Sequence, residues 1–242
     1  MQFLTVQMLF KNSEEHIRRA IESLLPLREF IKEIVFVNNG STDGSMDIIR
    51  EYYDKFQMKL IMSEAKSFST LRNMAIEMAE GTWTLVLDSD EVVSKNMYWE
   101  LLQLTQQEGI YAWFFPRVLL YPDESNFLID AYPDYQMRLF LNDKSIRFTR
   151  DVHEYLIRNV NGQEVSLGIT QPNTKITHKL HFFHYQLLAT KESLEAKGEN
   201  WLERQKDSKQ AGFDIVGKDA YVFKNYQHRT SPIAQSLKEE LK

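Results

Sequence analysis

Short apolar runs alternate with polar stretches of helical spacing through the first 90 positions of the chain. Residues 3–10 read as a first strand, and Lys11, Asn12, Ser13, Glu14 and Glu15 as a helix start with Asn12 as cap and Glu15 three residues on. Ile17, Ala20, Ile21, Leu24 and Leu25 recur at helical spacing until Pro26 closes the pattern. Residues 31–37 give a second strand, ending at a polar, glycine-punctuated turn over 38–44. The next helix has Ile48, Ile49, Tyr52, Tyr53 and Phe56 on its apolar face and Ser41, Thr42 or Asp43 as cap. A short strand at 60–62 follows, then a helix carrying Leu71, Met74, Ala75, Met78 and Ala79 that Gly81 stops. The run at 84–87 has no polar alternation, as expected of a central strand covered on both faces. This order predicts an α/β fold with a largely parallel, doubly wound sheet.

Beyond residue 94 the pattern is looser. A helix over 94–107, capped by Ser94, ends at Gly109 before a long aromatic strand at 110–121 and a turn-rich loop at 122–126. Residues 175–185 hold three of the six histidines; if extended, His178 and His184 share a face and His181 takes the other. Residues 190–210 read as a charged helix with Leu194, Trp201 and Leu202 as a thin apolar stripe, and Tyr221, Phe223 and Tyr226 follow in a polar setting. The absence of repeats, low-complexity tracts or a clear linker predicts one domain over 1–189 with a helical C-terminal extension over 190–242.

Composition narrows the chemistry. With 242 residues the chain can bury a substantial core. A net charge of -5 argues against general nucleic-acid binding, which needs a basic footprint. The lack of cysteine excludes disulfides, thiolate catalysis and zinc-thiolate sites. No apolar run approaches the roughly 20 residues of a membrane helix, and the chain opens without the basic region of a signal peptide. The expected location is cytoplasmic, with peripheral contact at the inner face of a membrane left open.

The chemistry concentrates at Asp88, Ser89 and Asp90, which follow the apolar run where open α/β sheets bind ligands. Two acids one residue apart repel unless a positive group lies between them. A divalent cation carrying a diphosphate answers that need, because Mn²⁺ or Mg²⁺ takes a few carboxylate oxygens and leaves positions for phosphate. The alternative is an acidic turn capping the next helix. Neither Gly-x-Gly-x-x-Gly nor a Walker lysine loop is present, which weighs against a nicotinamide dehydrogenase or a P-loop ATPase.

Three blocks in order carry a family resemblance: residues 37–44 (Val-Asn-Asn-Gly-Ser-Thr-Asp-Gly), Leu71-Arg72-Asn73, and residues 87–91 (Leu-Asp-Ser-Asp-Glu). The chain resembles family-2 inverting glycosyltransferases of the GT-A fold, and Arg138-Leu139-Phe140 with Val152-His153-Glu154 resembles a subgroup that includes lipopolysaccharide-core glucosyltransferases and peptide glycosyltransferases. The resemblance implies a nucleotide-sugar part over 1–95, an acceptor part over 96–189, a UDP-sugar donor and inversion at the anomeric carbon. By the same resemblance Asp90 is the metal-binding acid, and Asp88 holds the ribose or, through water, the metal. Arg72 contacts the nucleotide; its alternative is a solvated helix arginine. Asn38 and Asn39 stand where the family most often has two aspartates, and asparagine can accept from a uracil imide. Asp43 and Ser89 complete the donor-binding set.

Inverting transfer needs a base for the acceptor hydroxyl, and Glu154 is the candidate, its alternative being an ion pair with Arg147 or Arg150. On a strand His153 would point the other way, as a positioning residue for the donor or a packed core histidine. His184 is the candidate third metal ligand, against a histidine packed at a strand end. The expected acceptor is a hydroxyl on a glycan, glycolipid or glycoprotein, and the C-terminal extension is a candidate homo-oligomer contact. A sugar nucleotidyltransferase and a non-catalytic nucleotide-sugar-binding subunit are the alternatives; the first normally carries a glycine-rich basic loop after its first strand, where this chain has Phe10-Lys11-Asn12-Ser13-Glu14.

Overall fold

The computed structural model describes residues 3–151, 153–190 and 230–241. Its main sheet runs in the order β3-β2-β1-β4-β8-β6-β13-β5, with β12 pairing β6 off that path. The strands are β1 (Leu4–Phe10), β2 (Ile31–Asn38), β3 (Met58–Met62), β4 (Trp83–Val86), β5 (Glu91–Val93), β6 (Ala112–Leu119), β8 (Asp134–Leu141), β12 (Thr174–Ile176) and β13 (Phe182–His184). The first four are mutually parallel, β8 is antiparallel to both β4 and β6, and β13 is parallel to β6. The first half is therefore the parallel sheet that the alternation predicts, and β8 closes it with reversed direction.

Helices cover both faces, which is why β1 and β4 are buried along their whole length. On one side α1 (Ile17–Glu22), α2 (Ser45–Arg50) and α4 (Met97–Thr105) pack over Leu4, Val6, Met8, Ile34, Phe36 and Leu85. On the other, α3 (Phe68–Met78) sets Leu71 and Ala75 against Leu9, Val35 and Val37. Gly81 lets the chain turn from α3 into β4 pressed against β1: a Cβ there would lie 2.5 Å from the backbone nitrogen of Thr5 and 2.7 Å from the carbonyl oxygen of Phe3.

A second sheet, β9 (Ile146–Thr149), β10 (Tyr155–Val160) and β11 (Gln163–Ser166), projects beyond β8 as an antiparallel unit. Finally β14 (Thr230–Pro232) pairs antiparallel with β7 (Asn126–Leu128), and α5 (Gln235–Leu241) follows. There Glu240 accepts from Ser94 Oγ at 2.9 Å, and His181 Nδ1 stands 2.9 Å from the same oxygen. The described end of the C-terminal extension is thus a strand and a helix fastened to the α/β body. The expected helix over 190–210 and the aromatic residues Tyr221, Phe223 and Tyr226 lie outside the described residues, apart from Thr190.

Several expected caps are corrected. Asn12 sits at φ 50 and spends its Oδ1 on the Thr42 N–H at 2.8 Å, joining two loops, while α1 begins only at Ile17. Ser94 binds the C-terminal helix, and Asn96 takes the N-cap position of α4. Residues 175–185 fall in two short strands joined by a connection outside the strand ladder; His178 meets the Tyr135 hydroxyl at 3.0 Å and His181 is buried beside Tyr132 and Glu240.

Candidate active site

The carboxyl ends of β1 and β4 open into a cavity of about 670 Å³. Its walls include Phe10 at the end of β1 and Lys11 just after it, Asn39 after β2, Arg72 of α3, Asp88 to Asp90 after β4, Arg138 of β8, Glu154 before β10 and His184 of β13. The volume falls in the range of small-molecule sites.

Asp88 forms the floor. Its Oδ1 accepts from Arg72 Nη2 at 2.9 Å and its Oδ2 from Arg138 Nη2 at 2.8 Å. Burial pushes the Asp88 carboxyl up, but the guanidiniums of Arg138 and Arg72 outweigh it and hold the group well below the ordinary carboxylate range. The same Arg138 nitrogen also reaches the fully buried Glu91, which lies 3.4 Å from Arg117 Nη1; Arg117 in turn grips Asp134 at 2.6 Å. The acidic motif therefore rests on a ladder of buried ion pairs that joins β4, β8 and β6. In a central strand, Arg138 is costly unless paired, so a charge amid the apolar residues of β8 was the available signal for it.

Asp90 points elsewhere. The β5–β13 pairing brings His184 opposite Glu91, and Tyr185 donates its backbone N–H to the Asp90 carbonyl at 2.8 Å. His184 Nε2 stands 3.5 Å from Asp90 Oδ1, and His184 Nδ1 is buried with no hydrogen-bond partner among the described residues. Between them, Ser89 Oγ lies 2.8 Å from Ser13 Oγ, fixing the motif to the loop after β1. The Asp90 carboxylate suits Mn²⁺ or Mg²⁺, which leaves most of its shell to phosphate and water, and an imidazole beside it favours the softer Mn²⁺ over Mg²⁺. Asp88 fits that role poorly, since both its oxygens already face guanidiniums. Among the described residues no three His, Asp or Glu side chains form a ready-made metal cage.

Arg72 is a buried bridge, neither a solvated helix arginine nor an open one. Its Nε donates to Glu154 Oε1 at 2.6 Å and its Nη2 to Asp88, with the Phe148 ring centroid 5.6 Å from its Cζ. Burial works against the charge, and the carboxylates of Asp88 and Glu154 more than offset it, so the guanidinium is held protonated more firmly than usual. Glu154 thus pairs with Arg72, while Arg147 pairs with Glu164 and Arg150 lies 4.5 Å over the Tyr155 ring. Strand geometry does not reach His153: it is exposed in a bend at φ 53 and lines the cavity, so it is no core histidine. Val152 of the same block lies outside the described residues.

The two asparagines divide. Asn39 lines the cavity and its Nδ2 donates to the carbonyls of Ser63 and Ala65 at 3.0 Å each. Asn38 faces inward, accepting from the Ser41 N–H at 2.7 Å. Asp43 is away from the cavity walls and accepts from Ser45 and from the Glu14 backbone N–H. The structure thus gathers Asn39, Arg72, Asp88, Ser89, Asp90, His153, Glu154 and His184 around one space, and leaves Asn38 and Asp43 to shape the neighbouring loops.

Residues 5–158 match the family model described as glycosyl transferase family 2. The uncharacterized glycosyltransferase YibD of Escherichia coli (strain K12) is 29% identical over 108 residues, a match covering 44% of this chain and 31% of that protein. The poly(ribitol-phosphate) beta-N-acetylglucosaminyltransferase TarS of Staphylococcus aureus (strain Mu50 / ATCC 700699) is 36% identical over 91 residues, which is 35% of this chain and 16% of TarS. The chain therefore spans less than a third of the length of either relative over the matched stretch. A crystal structure of S. aureus TarS 1-349 in complex with UDP superposes with a TM-score of 0.54 at 16% identity, covering 92% of this chain and 70% of that one. At that identity the likeness shows a shared GT-A-like α/β fold.

Proposed function

This chain belongs to glycosyl transferase family 2, and from that premise we propose that it is a metal-dependent inverting glycosyltransferase moving a sugar from a UDP-sugar to an acceptor hydroxyl. The observation that carries the reading is the placement of Glu154 and of the Asp90–His184 pair on the walls of one cavity at the carboxyl ends of β1 and β4. The UDP bound to TarS supports uridine as the nucleotide.

Asn39, Ser89 and Asp90 with Lys11 at the lip would line the donor side, and Arg117, Tyr135 and Gln136 of β6 and β8 the acceptor side. Asp90 and His184 would hold Mn²⁺ or Mg²⁺. When bound, the cation supplies positive charge against the departing diphosphate. Glu154 takes the proton of the acceptor hydroxyl as that oxygen attacks the anomeric carbon from the face opposite the leaving group. Its contact with Arg72 at 2.6 Å holds the side chain on the cavity wall. The acceptor is a hydroxyl on a glycan, free, lipid-linked or protein-linked.

Glu154→Gln tests the reading. It keeps the size and polarity of the side chain and removes the base, so UDP affinity stays within about twofold while transfer falls by about 10²- to 10⁴-fold. A variant that loses UDP binding together with turnover assigns Glu154 to structure instead.

A further inference from the structure

The β9–β10 connection that presents Glu154 leaves the strand ladder. Strand pairing stops at Thr149 and resumes at Tyr155, and Arg150 and His153 hold φ values of 73 and 53, which disfavour residues with a Cβ.

Helix α3 meets the connection and the strand β9 that leads into it at three levels. At the helix start the Phe68 N–H donates to the Asp151 carbonyl at 2.9 Å. One turn on, Arg72 Nε reaches Glu154 at 2.6 Å. Beside it the Asn73 amide pairs with the Phe148 backbone in both directions, donating from Nδ2 to the carbonyl at 2.9 Å and accepting the N–H on Oδ1 at 2.8 Å. Leu71, between these groups and the sheet, is buried against β1 and β2, so the helix itself is immobilised.

Arg72 lines the cavity with most of its guanidinium already committed to protein groups. Two of its nitrogens serve Glu154 and Asp88, and Nη1 is buried without a hydrogen-bond partner among the described residues. Its backbone carbonyl is taken by the Gln7 side chain.

We propose that Arg72 and Asn73 are positioning residues for the general base: they seat the β9–β10 connection on α3, and Arg72, shared with Asp88, fixes Glu154 relative to the donor-binding motif. The proposal rests on the transfer reading above and replaces the expectation that Arg72 contacts the nucleotide. A guanidinium fork spans both acids at once; an ammonium reaches one.

The test uses the full chain with Arg72→Lys and Asn73→Leu. UDP affinity in the presence of Mn²⁺ is measured by calorimetry, kcat and KM by release of UDP from UDP-glucose and UDP-N-acetylglucosamine, and folding by circular dichroism. Both variants are expected to keep the UDP Kd and the donor KM within about twofold, while kcat falls about 100-fold, the loss that a misplacement near 1 Å produces. A raised Kd or KM with kcat preserved would return Arg72 to nucleotide contact and overturn the proposal, as would full activity in both variants. Should Arg72→Lys fail to fold, Asn73→Leu decides, because Asn73 is not among the residues lining the cavity. A wild type that neither binds UDP nor turns over either sugar contradicts the transfer reading itself, a failure distinct from unaltered variants of an active wild type.

Discussion

Asp88 and Asp90 stand one residue apart and differ in their charged partners. Asp88 is locked between Arg72 and Arg138, whereas Asp90 faces His184. Arg138 is a sensitive position for mutation, because among the described residues it is the hydrogen-bond donor to Asp88 Oδ2 and it also reaches the fully buried Glu91. Removing one partner of a buried ion pair leaves the other charge uncompensated. Arg138→Met is therefore expected to lower unfolding free energy by about 3 kcal/mol at neutral pH, measured by urea denaturation. The pH dependence has a definite sign: the folded Asp88 carboxyl is held below its unfolded value, so its contribution is complete above the ordinary carboxylate range and is lost as pH falls through the depressed folded value. The stability gap between wild type and Arg138→Met should accordingly narrow as pH drops below about 4. A gap that is constant with pH would mean that Arg138 acts through packing alone.

The elements of the first half were legible because each buried strand and each helix face left a periodic trace: β1, β2, β4 and α3 lie where the apolar runs place them. Caps were not, for a reason that local pattern cannot contain. Asn12, Ser94 and Asp43 each had local capping chemistry, and Asn12 and Ser94 spend it on Thr42 and Glu240, residues distant in sequence. Gly81 reads as a helix stop in the sequence, yet its stronger constraint is the close approach of β1. Gly81→Ala is expected to destabilise by about 1–3 kcal/mol, since the methyl group meets backbone and nothing there can rotate away. A change in melting temperature within error of wild type would show that the α3–β4 turn can shift.

At the scale of the whole molecule, residues from distant stretches of the chain meet in one cavity, and the sequence announced them unequally. Asp88 and Asp90 follow the end of an apolar run, which is a visible signal. Arg72 and Arg138 stood in the quoted sequence blocks, but their ion pairs, and the part of Arg117, were hidden, because tertiary packing and the pairing of β8 with β6 and β4 create them and no linear spacing encodes them. His184 reached Asp90 through β5–β13 pairing, again a tertiary fact. Among the described residues no helix is long and apolar enough to cross a membrane. The account as a whole turns on Asp90 and His184 being the cation site of a UDP-sugar enzyme. Calorimetric titration of UDP, with and without Mn²⁺, on wild type and Asp90→Ala tests this directly. The account predicts that Mn²⁺ tightens UDP binding to the wild type by at least about tenfold and that Asp90→Ala abolishes the gain. Equal UDP affinity with and without Mn²⁺ in the wild type, or a gain that survives in Asp90→Ala, would contradict it.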